Sequence, residues 1–469
     1  MTELWRKSAR ELARMIARKE TSSAEVVEAH LKRIEAVNPR LNAIVRLLAD
    51  EARAGARAAD AAVAAGGPLG PLHGVPITVK ENIDMAGLPT TQGVPALAEV
   101  VAPVDAPVVE RMRAAGAIPI GRTNLPDFAF RVHTESALHG LTRNPWNHAR
   151  TTGGSSGGDG SALAAGLAAL GLGNDIGGSL RNPANACGIT SIRPSLGRVP
   201  AADSTSPGDR PLAAQLMAVQ GPMARNVADV RLGLEILSGA HPRDPWSTDA
   251  PVEPDAATPV KVAVVEAPPG NAVDPAVSAA VRAAADALAD AGYEVVAACP
   301  PDYTAAVDLW AEFILGDFDA ALDIMISLMG EGGRAFLNAV RAEIGPQPNA
   351  RALSALLGRR DTIARNWSLF MAEHPLVLTP TWTQIPFEHG WDAASPENSV
   401  ATLQVMRPVV AANLLGLPSA CVPVSVDPAS GMPVGVLVNG RRMHDLQCLA
   451  AAEVIEAKSG VSTPIDPAW

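Results

Sequence analysis

Cysteine is scarce. The 469-residue chain holds four, Cys187, Cys299, Cys421 and Cys448, with no CxxC or CxxxC pair among them. That scatter excludes the clustered thiolates of a structural zinc site, and it offers no disulfide framework for a chain this large. Long apolar runs are missing as well. No stretch of about 18 uncharged apolar residues occurs, so a membrane span is not expected. The opening "MTELWRKSARELARMIARKE" lacks the apolar h-region of a signal peptide. It predicts an amphipathic helix in a cytoplasmic protein. Basic charge is in deficit: 38 Lys and Arg stand against 49 Asp and Glu, a net charge of −11. This balance argues against a general nucleic-acid binder, whose affinity comes from neutralising phosphates. Internal repeats and low-complexity tails are absent too. What is present is apolar content of 48%, enough for a large globular core.

The pattern along the chain changes several times. Residues 1–66 read as helices packed on a core. "TSSAEVVEAHLKRIEAVN" starts with Thr/Ser capping candidates, and "DEARAGARAADAAVAAG" stops at Gly66-Gly67. From 67 onward strands alternate with helices. "GVPITVK" (74–80), "IPIG", "VKVAVVE" (260–266), "HPLVLTPT" and "SACVPVSV" are β-branched or apolar runs that predict strands. "DAPVVERMRAAGA" and "SALAAGLAALGLG" (161–173) predict helices. The alternation implies an α/β fold with a largely parallel or mixed sheet covered on both faces. Residues 301–372 break the rhythm. They are helical in pattern and carry Tyr303, Trp310, Phe313, Phe318, Phe336, Trp367 and Phe370. Such an insertion serves either as a pocket wall or as ordinary packing. Residues 373–469 return to the strand pattern and complete the core begun at 67–300. "HPRDPWSTDAPVEPDAATP" (241–259) reads as a loop.

Two glycine–serine clusters flank one small-residue segment: "TTGGSSGGDGSALAAG" (151–166) and "GLGNDIGGSLRNPANACG" (171–188). A linker runs between polar stretches, not into such a segment with a second cluster behind it. A phosphate-binding loop needs Lys then Ser/Thr after its last glycine. Here Asp159 stands where the phosphate would lie. "GLGNDIG" misses the dinucleotide spacing by one residue. Nucleophilic catalysis fits better. A serine needs a base and donors for the oxyanion. Consecutive N–H groups at Ile176, Gly177, Gly178 and Ser179 can converge on one point, because glycine permits tight curvature. The base is open between histidine (His133, His139, His148) and Lys80. A lysine acts as a base only when burial or a positive field keeps it neutral. The run Val75–Val79 would carry Lys80 into an apolar interior.

Three stretches together, "GVPITVKENID" (74–84), "GGSSGG" (153–158) and "GLGNDIGGSLRNPANACG", resemble the amidase signature family. "PLHGVPI", "GRTNLPDFAF", "RNPWN", "GPMARNVADV" and "NLLGLPSACVPV" extend the likeness over nearly the whole chain. The resemblance implies a single large α/β domain with a twisted mixed sheet and a Ser–cis-Ser–Lys triad. The nucleophile is then Ser179, the bridging serine Ser155, 24 residues earlier, and the base Lys80. The Gly154–Ser155 bond is implied to be cis. The Ala129 carbonyl is implied to face the substrate nitrogen. Ser156 supports the site by hydrogen bonding, and Asp175 and Arg181 brace the nucleophile turn as a buried ion pair. Phe128 and His133 suit an apolar or aryl acyl group. The chain departs from the family where Asn174 replaces a common Thr and "SIRPS" replaces "GLKPT". Both changes are expected to lie outside the triad.

The implied activity is hydrolysis of a carbon–nitrogen bond in a small acyl amide-type substrate: an amide, anilide, acylhydrazide or carbamate. The likeness leans to the aryl-acylamidase, hydrazidase and urethanase side of the family. The alternative is the glutaminase subunit of a tRNA-dependent amidotransferase. The chemistry calls for no metal or organic cofactor, and no nucleic-acid or membrane partner is indicated. Pairing of relatives through their N-terminal helices implies a homodimer.

Overall fold

The structure is a computed structural model describing residues 3–206, 208, 210–251, 260–344, 350–467 and 469. The Phe318 side chain and loop positions 252–259 of the sequence reading lie outside the described residues.

Among these residues eleven strands form one sheet. Their spatial order is Ile44–Leu47, Ile118–Thr123, Pro76–Lys80, Leu170–Asp175, Val219–Ala224, Thr190–Arg193, Ser419–Val426, Pro433–Gly440, Leu376–Pro380, Lys261–Val264 and Glu294–Ala297. Pro76–Lys80 runs parallel to both its neighbours, Ile118–Thr123 and Leu170–Asp175. The pairing of Leu170–Asp175 with Val219–Ala224 is antiparallel, so the sheet is mixed. Two apolar clusters form the core, one containing Ile120, Leu163 and Trp310, the other Ile77, Val79 and Leu172. Apolar side chains on both sides of central strands explain why those strands read as continuous apolar runs.

Local signals hold at several elements. Ser22 caps the helix Ser23–Leu41 in a reciprocal capping box with Glu25. Gly66, at φ +72°, closes the helix Ala49–Ala65. Three helices, Tyr303–Leu328, Glu331–Ile344 and Ala350–Glu373, fill the interval read as a helical insertion.

Two expectations are corrected. The helix read over 161–173 is instead the end of the helix Gly157–Ala164 followed by the strand Leu170–Asp175. Gly166, at φ +75°, breaks the helix, and the following residues are drawn into the sheet between Pro76–Lys80 and Val219–Ala224. Residues 1–66 are not wholly helical. Ile44–Leu47 is the edge strand of the sheet, paired antiparallel to Ile118–Thr123. Among the described residues no helix is long and apolar enough to cross a membrane.

Candidate active site

The site begins with a strand of five buried residues, "PITVK" (76–80). Side chains alternate across a strand, so Thr78 and Lys80 share one face, while Ile77 and Val79 enter the apolar cluster on the other. Lys80 is the last residue of its strand. In the parallel register Val79 faces Leu172, which puts Asn174 at the same carboxyl edge of the neighbouring strand. The carboxyl ends of parallel strands are where α/β sheets place their ligand crevices.

Lys80 is fully buried. Its Nζ lies 2.7 Å from Ser155 Oγ and 2.6 Å from Asn174 Oδ1. Burial pushes its pKa below the ordinary lysine range, and the carboxylates of Asp159 and Asp175 oppose that shift. Asp159 sits in the first turn of the helix Gly157–Ala164 and accepts from the Thr78 and Thr123 hydroxyls at 2.8 and 2.7 Å. Burial holds its pKa above the usual carboxylate range, against the hydroxyl donors and Lys80.

Ser155 and Ser156 immediately precede that helix, and the Gly154–Ser155 peptide bond is cis. Glycine is required at 154, because a Cβ there would lie 2.6 Å from the Arg131 carbonyl oxygen. The backbone of 131–133 therefore runs directly against the Gly154–Ser155 peptide. The Ser156 N–H donates to the Ser179 carbonyl at 3.2 Å, tying the first cluster to the second. Ser156 Oγ makes a long contact of 3.5 Å to the Asn174 carbonyl.

The second cluster turns at Gly178, φ +91°, into the helix Arg181–Cys187. Asp175 organises this turn. It accepts from the N–H groups of Gly178 and Leu180 at 2.8 and 3.1 Å, from Arg181 Nε and Nη2 at 3.0 Å each, and from Asn413 Nδ2 at 2.7 Å. Burial alone would push the Asp175 pKa up, but Arg181, Arg193 and the Asn413 amide hold it below the usual carboxylate range. Arg181 also donates to the Val409 carbonyl and to Asn413 Oδ1 at 2.8 and 2.6 Å. The Gly178 N–H, expected to face an oxyanion, instead points at Asp175. The N–H groups of Ile176, Gly177 and Ser179 have no intramolecular partner among the described residues.

The histidines lie elsewhere. His133 is buried with Nδ1 3.0 Å from Thr151 Oγ1, and burial pushes its pKa down to about 3. It packs 5.2 Å from the His389 ring as a neutral side chain. His139 Nε2 lies 3.0 Å from Glu81, a carboxylate the sequence reading did not pair with it. The His148 carbonyl accepts from His389. None hydrogen-bonds Ser155 or Ser179 among the described residues. Phe128 and Ala129 take φ of +50° and +62°, left-handed values uncommon outside glycine. Asp127 anchors this turn by accepting from the N–H groups of Ala137 and Gly330, both at 2.7 Å.

Sequence reasoning missed Asp159 as the partner of the lysine strand and missed the reach of Asn174, which lies outside the expected triad but hydrogen-bonds Lys80. It also missed the role of Trp310. That indole donates to the Ile176 carbonyl at 2.9 Å, and a Cβ on Gly177 would lie 2.6 Å from Trp310 Cζ2. Trp310 also forms one wall of a cavity of about 270 Å³, lined by Val307, Val400, Leu403 and Val410 with Arg407 and Glu343 among its polar residues. No group of three His, Cys, Asp or Glu side chains able to hold a metal ion occurs among the described residues.

A buried lysine, a serine within reach of it and a turn with free N–H groups at the carboxyl edge of a mixed sheet are the parts of a serine-type acyl hydrolase. The amidase family model matches residues 25–449. The chain belongs to that family, the amidase signature enzymes, and is a hydrolase of carbon–nitrogen bonds. It is similar to the indoleacetamide hydrolase of Bradyrhizobium diazoefficiens, 45% identical over 462 residues that cover 98% of this chain and 87% of that protein. It is also similar to a glutamyl-tRNA(Gln) amidotransferase subunit of Salinispora arenicola, 35% identical over a 501-residue alignment covering 99% of each. The structure of a bacterial aryl acylamidase of the amidase signature family superposes with a TM-score of 0.83 at 27% identity, covering 97% of this chain and 96% of that one.

Proposed function

We propose that the chain hydrolyses a small arylacetamide-type primary amide to the carboxylic acid and ammonia through a Ser179 acyl-enzyme. The observation that carries the reading is the buried Lys80 nitrogen 2.7 Å from Ser155 Oγ. Neutral Lys80 accepts a proton from Ser155 as Ser155 accepts one from Ser179. Ser179 Oγ bonds to the amide carbon, and the N–H groups of Ile176, Gly177 and Ser179 hold the developing oxyanion. The relay returns the proton to the nitrogen as the C–N bond breaks and ammonia leaves. Water, deprotonated through the same relay, then attacks the acyl carbon and releases Ser179. Asp175 and Arg181 brace the turn, and Ser156 ties the two clusters together. The Ala129 carbonyl orients the amide nitrogen.

Three observations favour an aryl acyl group. The 45% identical Bradyrhizobium protein is named for indoleacetamide. Phe128 and Phe130 are partly exposed, in the segment leading to Arg131, whose carbonyl lies against Gly154. Trp310 sets an indole ring against Gly177 of the proposed nucleophile turn, an aromatic surface on which an aryl group can pack. In this reading helices 301–372 form a pocket wall over a core of 67–300 and 373–469, with 1–66 packed on it. Acylhydrazides and aryl urethanes present the same carbonyl and are secondary substrates. A cytoplasmic location and a homodimer paired through the N-terminal helices complete the reading, the latter testable by sedimentation.

The second reading, a glutaminase subunit, draws on the 35% identity to the Salinispora protein. Ammonia release by the isolated chain separates the two. Indole-3-acetamide, benzamide, an anilide, a benzoyl hydrazide, an aryl urethane and glutamine would be compared, with Ser179→Ala as control. Turnover of the arylacetamide and none of glutamine is expected. Glutamine alone as substrate would move the chain to the second reading, and activity surviving in Ser179→Ala would remove Ser179 as nucleophile.

A further inference from the structure

Asn174 is one of three residues between 151 and 200 that are even partly exposed. Its Oδ1 lies 2.6 Å from Lys80 Nζ, and its Nδ2 donates to Asn82 Oδ1 at 2.9 Å. Asn82 follows Lys80 by two residues, so the chain that carries the lysine also carries the group that orients its neighbour. We propose that Asn174, held by Asn82, is a positioning residue that aims the lone pair of neutral Lys80 at Ser155. The inference rests on the reading of Lys80 as the base.

The argument is one of proton inventory. A neutral lysine has two N–H donors and one lone pair. A side-chain amide oxygen only accepts, and it has no proton to offer the lone pair. Because Nδ2 of Asn174 is engaged by Asn82, Oδ1 is the atom turned to Lys80. It therefore takes an N–H, and the lone pair is left for the Ser155 hydroxyl 2.7 Å away. A hydroxyl in place of Asn174, the residue type the family resemblance suggests, could either accept from Lys80 or donate to it. With its Nδ2 donating to Asn82, Asn174 presents Lys80 with an acceptor only. Asn174 also adds no charge beside a nitrogen that must stay neutral. The other charged groups around Lys80 are Asp159 on the helix behind it, Asp175 on the adjacent strand, and Glu81 and Arg122 on its own and the neighbouring chain segments. Arg122 donates to the Lys80 carbonyl at 3.3 Å.

The test measures kcat and KM against pH for indole-3-acetamide hydrolysis in Asn174→Ala, Asn174→Asp, Asn174→Thr and Asn82→Ala. Asn174→Ala is expected to lower kcat about tenfold to a hundredfold with KM within about twofold, the scale of a misplaced catalytic group. Asn82→Ala loses less, in the same direction. Asn174→Asp sets a carboxylate against Lys80, so the rising limb of the profile moves up by about 1–3 pH units. Asn174→Thr recovers part of the kcat lost in Asn174→Ala. Should Asn174→Ala fail to fold, as judged by circular dichroism, the Thr and Asp variants and Asn82→Ala carry the test alone. Profiles of Asn174→Asp and Asn82→Ala that coincide with the parent overturn the proposal. Lys80→Met run alongside separates the failures. If it keeps activity, the reading of Lys80 as base falls. If it is inactive while the Asn174 variants match the parent, only the positioning role falls.

Discussion

Between residues 151 and 200 only Asn174, Ile176 and Leu196 are even partly exposed, whereas the helices between Tyr303 and Glu373 expose Ile324 and Leu369 at 65% and 66%. The first region buries charge within hydrogen-bond networks: Asp175 alone accepts from Gly178, Leu180, Arg181 and Asn413. The second holds its charges at the surface, as in the Arg359–Glu312 pair. A buried polar network has one good arrangement and is costly to break, whereas an exposed one is screened and replaceable. The contrast supports the proposed reading, in which the reaction belongs to the buried region and the helices shape the substrate pocket. Asn174 and Ile176 lead into Gly177–Ser179, and in the proposed reading this gap in burial is the face on which substrate would sit. Trp310 is where the two regions meet.

Variants along this contrast should grade from large to small. Ser179→Ala is expected to reduce kcat by about 10³-fold or more with the melting temperature unchanged, since it removes the proposed nucleophile and leaves the turn intact. A melting scan beside the rate assay checks both halves. Arg181→Ala should cost about 3–5 kcal/mol, because it strands a buried carboxylate. Urea unfolding measures it. Because Asp175 is held below its unfolded pKa, its contribution is present above the unfolded value and lost as pH falls through the folded one. The parent's acid sensitivity should therefore shrink in Asp175→Asn. Asp159→Asn removes a carboxylate that raises the Lys80 pKa, so the rising limb of the rate profile should move to lower pH. A limb that moves upward would mean that Asp159 acts otherwise. Trp310→Phe deletes the hydrogen bond to the Ile176 carbonyl, worth about 1 kcal/mol. A few-fold loss of kcat and altered aryl selectivity should appear in the substrate panel. Arg359→Ala should cost under about 1 kcal/mol and leave kinetics untouched, because that pair is exposed.

The two glycine–serine clusters, the lysine-bearing strand and the helical interval were legible because their signals are local. Glycines at tight turns, the β-branched run in "GVPITVK" and 3.6-residue periodicity are each written within a dozen residues. The segment 161–173 was misread for the converse reason. A run of Ala, Leu and Gly buried on all sides carries no period that distinguishes helix from strand, and the register with Pro76–Lys80 decided the outcome. The Gly178 N–H could not be assigned from spacing, since its direction depends on the Asp175 side chain.

By itself the sequence determined which residue types were available for the chemistry and in what order: a strand-end lysine, two serines 24 apart and an acidic–basic pair around the second. Folding alone decided their company. Asn174 reached Lys80 across 94 positions, Asp159 reached Thr78 across 81, and Trp310 reached Ile176 across 134. These contacts depend on strand register and helix packing, which sum interactions over the whole core. No local stretch of residues encodes them.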